Sequence, residues 1–219
     1  MHNGFIQKVK EIKTQSEIKS KPQPSYQRRD PADVEQVECY LHLQQSIIKG
    51  EVGTETLRHL ALGTMNTRYP QDKWLHIFTD GCQIDGYINA GASIYCELFS
   101  CYMPLGQHST AFDGETEAIC TALRLLNLHQ NKFERARIFS DSEAAILSAG
   151  STETVITEAK DCQVLIQQLK AKHKQIAVQW IPGHCQIAGN EHADALAKRV
   201  PKLQKHISEK HPTILLNYI

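Results

Sequence analysis

Along residues 74–200 the apolar positions follow two rhythms: short unbroken runs, and longer stretches in which they recur every three or four residues. WLHIFTDG, GASIYCEL and FSCYMPLG are runs of strand length separated by little loop, which predicts three consecutive strands in an antiparallel meander. FDGETEAICTALRLLNLH then carries apolar residues at helical spacing, RARIFSDS reads as a buried strand, and SEAAILSAG as a short helix ending at Gly150. A further helix is predicted over residues 153–172, a fifth strand in AVQWIPGH, and a last helix in GNEHADALAKRV, with Asn190 as its N-cap and Pro201 beyond its end. Strands joined first by short loops and then by helical crossovers imply an α/β domain, a mixed sheet with helices packed on its faces.

The chain before residue 74 keeps neither rhythm. Its charges are mixed among helix formers, and KPQPSYQRRDPAD is rich in proline and polar residues, so residues 1–36 are expected to be mostly disordered or linker. Residues 37–73 are expected to form a helical extension through Leu41, Ile47, Ile48, Leu57 and Leu60, and residues 201–219 a C-terminal tail. No chemistry is visible before residue 74, and the chain has no internal repeat.

Charge changes this picture little. The 219-residue chain has 24 basic and 24 acidic side chains, so it does not advertise the basic footprint of a protein that grips phosphates. Residues 74–199 hold 10 basic and 14 acidic side chains, but four of those acids are candidates to meet cations, which would mask their charge from a polyanion. A nucleic-acid enzyme is therefore not excluded. The seven cysteines are scattered and form no CxxC pair, which argues against a disulfide framework or a zinc ribbon and for a reducing, intracellular setting. MHNGFIQKVK lacks a signal-peptide core, and no run approaches a membrane span.

Four acids fall where secondary structure begins or ends. Asp80 closes the first strand in FTDG, and Asp141 closes the fourth in FSDS; either alone reads equally as a turn or cap residue. Glu115 is more informative, because a helical wheel puts it on the face of Ala118, Ile119, Ala122 and Leu126, which must be the buried one. A carboxylate there costs several kcal/mol unless it is paired or coordinates a metal. Glu117 lies on the opposite side and is expected in solvent. Asp194 sits early in the last helix, where an acid also complements the dipole. One Glu and three Asp from four elements make an all-oxygen set suited to two Mg2+ ions, with Mn2+ as the substitute. His184, in the loop PGHCQIAGNE, is a candidate for protonating a leaving group. A zinc site from His184, Cys185 and His192 matches no usual spacing.

Taken in order, FTDG, GETEAI, IFSDS and WIPGHCQIAGNEHADALAK resemble the type 1 ribonuclease H family over roughly residues 74–199, the last motif being the most specific. The resemblance implies a ribonuclease H-like fold, a five-stranded mixed sheet of order 3-2-1-4-5 flanked by helices. It implies endonucleolytic hydrolysis of the RNA strand of RNA/DNA hybrids by two metal ions, leaving 3'-hydroxyl and 5'-phosphate ends. The metal-binding tetrad falls on Asp80, Glu115, Asp141 and Asp194, and the mobile loop histidine on His184. Backbone groups of Gly81, Cys82 and Gln83 would sense ribose 2'-hydroxyls, with Asn190 also at the substrate. Ala111, Phe112 and Asp113 stand where cellular members carry polar residues, and Cys82 where Ser or Ala is usual. TRYPQDKWLHIFTDG, INAGASIYCEL and FDGETEAI look more narrowly like the ribonuclease H region of arthropod non-LTR retrotransposon polyproteins, which would make a reverse transcriptase region of the parent element a partner. A monomer without membrane contact is expected. The rival reading is a catalytically silent retroelement-derived domain that binds nucleic acid; integrases, transposases and exonucleases of related fold fit TDGC less well.

Overall fold

One sheet of seven strands organises the computed structural model, which describes residues 38–45, 52–83, 89–151, 157–199 and 215–218. The strands are β1 (Glu38–Tyr40), β2 (Leu75–Gln83), β3 (Asn89–Cys96), β4 (Phe99–Gln107), β5 (Arg135–Ser140), β6 (Gln175–Trp180) and β7 (Leu215–Tyr218), in spatial order β1-β6-β5-β2-β3-β4-β7. The β2-β3-β4 meander is antiparallel, whereas β5 pairs parallel with both β2 and β6. Counted from β2, the inner five strands have the expected order 3-2-1-4-5. Five was too few: β1 adds in parallel beyond β6, and β7 adds antiparallel beyond β4.

Five helices are described: α1 (Thr54–Arg68), α2 (Ala111–Leu128), α3 (Glu143–Gly150), α4 (Thr157–Ala171) and α5 (Ala188–Ala197). Thr110 starts α2 through a reciprocal capping box with Asp113, and Ser142 caps α3 at the Ala145 N–H. Two readings need correction. The segment expected to be helical from residue 37 begins as strand β1, and its helix runs later, over Thr54–Arg68. Asn190 does not cap α5, which starts after Ile187; Asn190 lies buried in the first turn. The expectation for residues 1–36 lies outside the described residues.

Alternation along the parallel strands sends Ile77, Thr79 and Ile138 to one sheet face and His76, Phe78, Arg137 and Phe139 to the other. The first face receives α2, with α4 against it through Arg124–Asp161 at 3.2 Å and Asn127–Gln168 at 2.8 Å. The second face receives α5, whose Gly189 lies directly on the Phe78 ring. Leu62 and Met65 of α1 share a cavity of about 250 Å³ with Phe78 and the start of α5. Arg137 is fully buried on this face and, among the described residues, forms no ion pair with a carboxylate, though the charge of Glu38 acts on it. It donates to Tyr69 Oη at 2.5 Å and Gln179 Oε1 at 3.4 Å, and lies over the Tyr40 and Tyr69 rings at 4.4 and 3.9 Å. Burial pulls it down to about 10. Among the described residues no helix is long and apolar enough to cross a membrane.

Candidate metal centre

Asp80 lies inside β2 and not at its end, because pairing with β3 continues through Asp80–Ser93 to Gln83–Ala90. What ends here is the parallel ladder to β5, which stops at Phe78–Phe139. Asp80 thus sits where β2 and β5 part, and Asp141 directly follows the last residue of β5. Both belong to the carboxyl ends of neighbouring parallel strands, where α/β sheets open a crevice.

Glu115 reaches the same crevice from α2 because two glycines, Gly81 and Gly114, let the helix lie directly on the strands. A Cβ on Gly81 would stand 2.6 Å from the Gly114 carbonyl carbon and 2.8 Å from the Ala111 oxygen; one on Gly114 would stand 2.7 Å from the Gly91 oxygen. Such separations are closer than real Cβ contacts, so backbone meets backbone there. One carboxylate oxygen each from Asp80, Glu115 and Asp141 then lie within 4.8 Å of one another.

Burial pushes Asp80 up to about 8, with the charges of Asp141 and Asp194 adding to the shift and Lys198 opposing it. Burial likewise pushes Glu115 up to about 9, reinforced by Asp80 and Asp141 and opposed by hydrogen bonds from the Gly81 N–H and the Ser140 hydroxyl. Asp141 is raised by burial against a hydrogen bond from Asn190 and the field of His184. Asp80 Oδ2 and Glu115 Oε2 are buried and accept no hydrogen bond. Three crowded carboxylates, two of them with a buried unpartnered oxygen, and no soft donor among them fit a hard divalent cation, which would relieve both their desolvation and their mutual repulsion.

Asp194 is not brought into this cluster. Its carboxylate pairs with Lys198 at 2.7 Å one helical turn on, and it acts on Asp80 and Asp141 through its field. His184 is exposed, with left-handed backbone (φ 54°), and the Gly183 before it leaves room only for Asp141: a Cβ there would run into Asp141 Oδ2. Cys82 is half-buried with its thiol pushed up to about 11 by burial, and Gln83 is exposed. Glu117, expected in solvent, is half-buried and pairs with Arg124 at 2.6 Å. His192 stacks on Tyr95 and bonds the Ala188 carbonyl; among the described residues it joins no metal-binding cluster with His184 and Cys185.

Sequence reasoning missed Ser140, Gly183 and Lys198. Only Lys198 left a signal, its spacing of four from Asp194 on a helix.

A family model for RNase H matches residues 72–202, more than half of the chain. No curated protein matched. Among solved structures, RNase H1 from the halophilic archaeon Halobacterium salinarum NRC-1 is similar at 20% identity, covering 57% of this chain and 96% of its own, with a TM-score of 0.44. The N-terminal RNase H domain of a Mycobacterium tuberculosis protein, solved as a fusion with maltose-binding protein, is similar at 18% identity, covering 61% and 96%, with a TM-score of 0.48. LC11-RNase H1, solved in complex with an RNA/DNA hybrid, is similar at 19% identity, covering 60% and 99%, with a TM-score of 0.47.

Proposed function

Because the chain belongs to the RNase H family, ribonucleases acting on RNA/DNA hybrids, we propose that its acidic crevice cuts the RNA strand of such hybrids endonucleolytically in the type 1 manner, leaving 3'-hydroxyl and 5'-phosphate ends. The observation that carries this reading is the convergence of Asp80, Glu115 and Asp141, with one buried oxygen each of Asp80 and Glu115 that no described residue satisfies. These residues would hold Mg2+ or Mn2+, and Asp194 would complete a set for two ions. Bound there, divalent cations would supply an activated water and charge stabilisation at the leaving oxygen. The chain's own part is to hold the three carboxylates close together and fixed, so that a bound cation would draw them into their ionised forms. Asn190, bonded to Asp141, steadies that carboxylate beside the substrate. His184, exposed next to Asp141, is placed to deliver a proton to the departing group. Cys82 and Gln83 follow Gly81 at the open end of β2 and would read ribose 2'-hydroxyls through backbone groups.

The catalytic domain is taken as residues 74–200, acting as a monomer. The motifs around Asp80 and Glu115 favour descent from a retrotransposon polyprotein, in which a reverse transcriptase region would supply the hybrid. The test is cleavage of a labelled RNA/DNA hybrid by the full chain with Mg2+, Mn2+ or EDTA, beside RNA/RNA and DNA/DNA duplexes. Metal-dependent cutting of hybrid RNA alone is expected, with Asp80→Asn and Asp141→Asn each slowing it at least about 100-fold. Near-normal cutting by Asp80→Asn would overturn the metal assignment, and hybrid binding without cutting would turn the reading to a silent binding domain.

A further inference from the structure

Trp180 is the last residue of β6 and is buried, paired across the sheet with Ser140, the last residue of β5. One further bond joins the two strands, from the Ile181 N–H to the Ser140 carbonyl at 3.0 Å. Asp141 lies one residue past that bond, and there a side chain takes over from the ladder. The Trp180 indole N–H, which can only donate, reaches the Asp141 carbonyl at 3.1 Å. Three residues on, Gly183 meets the other end of the same aspartate. A Cβ on Gly183 would stand 3.3 Å from Asp141 Cβ and 3.1 Å from its Cγ, and would run into Oδ2, so the carboxylate lies against the bare Cα of the glycine. Buried Pro182 stands between the two, its φ fixed by its ring.

The run Trp180–Gly183 therefore meets Asp141 at both ends, main chain and carboxylate. On this geometry, and resting on the metal-binding reading above, we propose that Trp180 and Gly183 are positioning residues for Asp141. Trp180 sets where the Asp141 backbone stands once the strand pairing has ended. Gly183 leaves the space from which an Asp141 oxygen comes within 4.8 Å of oxygens of Asp80 and Glu115. Neither the indole nor the glycine Cα offers a cation a ligand. Their effect passes through Asp141, in the way outer-shell partners orient metal ligands in other sites.

The test is Mn2+ binding to the full chain, followed by electron paramagnetic resonance without nucleic acid, with thermal melts in EDTA alongside to confirm that each variant is folded. Trp180 is replaced by 3-benzothienylalanine, of the same shape with sulfur in place of the N–H, and by phenylalanine in Trp180→Phe; Gly183→Ala is the third variant. The isostere and Gly183→Ala are each expected to stay folded and to weaken Mn2+ binding about 10-fold or more, the lower end for loss of an outer-shell partner. Gly183→Ala folds because the atom nearest the new methyl is the end of a short side chain and not backbone, so the carboxylate turns aside. Trp180→Phe is expected to match the isostere in affinity and to melt lower, since it also loses ring contacts; the isostere decides the matter if Trp180→Phe does not fold. Wild-type Mn2+ affinity in the isostere would mean that the tryptophan only packs, and would overturn its role while leaving the metal site standing. Wild-type affinity in Gly183→Ala would likewise overturn the part given to the glycine. Absence of Mn2+ binding by the wild type would overturn the metal reading itself, and both roles with it.

Discussion

Asp80 and Glu115 are held well above the ordinary carboxylate range, up to about 8 and about 9, by burial and by the charges of neighbouring carboxylates, Asp141 acting on both. Between an unfolded value near about 4 and those folded values, the folded protein binds more protons than the unfolded chain. Stability without metal is therefore fully present at acid pH and falls as pH rises through about 8 to 9. Melts in EDTA across pH 5 to 9 are expected to show this fall, and Mg2+ to remove most of it, because bound cations select the ionised forms. A melting temperature that rose with pH in EDTA would contradict the shifts. Asp80→Asn removes one repelled charge, so it is expected to raise the EDTA melting temperature at pH 8 while abolishing cleavage, a trade of activity for stability. At this scale Glu115 was legible, since a charged residue on an apolar helical face needs an explanation. Ser140 and Gly183 were not: a serine before an aspartate, or a glycine before a histidine, carries no period and no charge to read.

Among the elements, β1 and α1 are bound to the sheet through Arg137. Its guanidinium donates to Tyr69, at the end of α1, and to Gln179 on β6 and lies over the Tyr40 ring on β1, with its Nε left unpartnered, while the Gln179 amide donates to the Tyr40 and His42 carbonyls. Removal of Tyr40 and Tyr69 would leave a buried cation without these partners, which is among the more costly defects a core can carry. A chain begun at residue 74 is accordingly expected to be poorly soluble or to melt far below the full chain, although the catalytic motifs all lie beyond that point. Tyr69→Phe is the gentler probe and is expected to cost about 1–3 kcal/mol in a denaturant titration. A change below a few tenths would show that the network is not holding the extension. The same network explains why β1 escaped sequence reading. ECY is too short for alternation to declare itself, and its conformation is decided by Gln179 and Arg137, far away along the chain.

For the molecule as a whole, the order of the inner five strands could be read in advance because hairpins and crossovers leave different spacings. The two edges could not, because an edge strand is defined by what it lies against. β7 pairs with β4 from Phe99–Tyr218 to Tyr102–Leu215 and so covers one rim of the sheet. Deleting residues 215–219 would uncover the main-chain groups of Phe99 to Tyr102, an open invitation to intermolecular pairing. Concentration-dependent light scattering is expected to rise in that variant with cleavage per folded molecule retained; an unchanged scattering profile would mean that the rim is protected otherwise.

The close approach of Gly114 to Gly81 and to the Gly91 carbonyl sets how wide the acidic crevice is, since the methyl groups absent from Gly81 and Gly114 fix the height of α2 above the strands. That height amounts to ion selectivity. Mg2+ demands oxygen distances of about 2.0–2.1 Å in near-octahedral array, whereas Ca2+ accepts about 2.3–2.6 Å and looser geometry. Gly114→Ala would set a methyl 2.7 Å from the Gly91 carbonyl oxygen, where backbone must yield, so it is expected to lower the melting temperature and, in the protein that still folds, to raise the ratio of Mn2+-supported to Mg2+-supported cleavage. In a lineage drifting at these positions, the choice of cation and the seating of the helix on the sheet would be lost together.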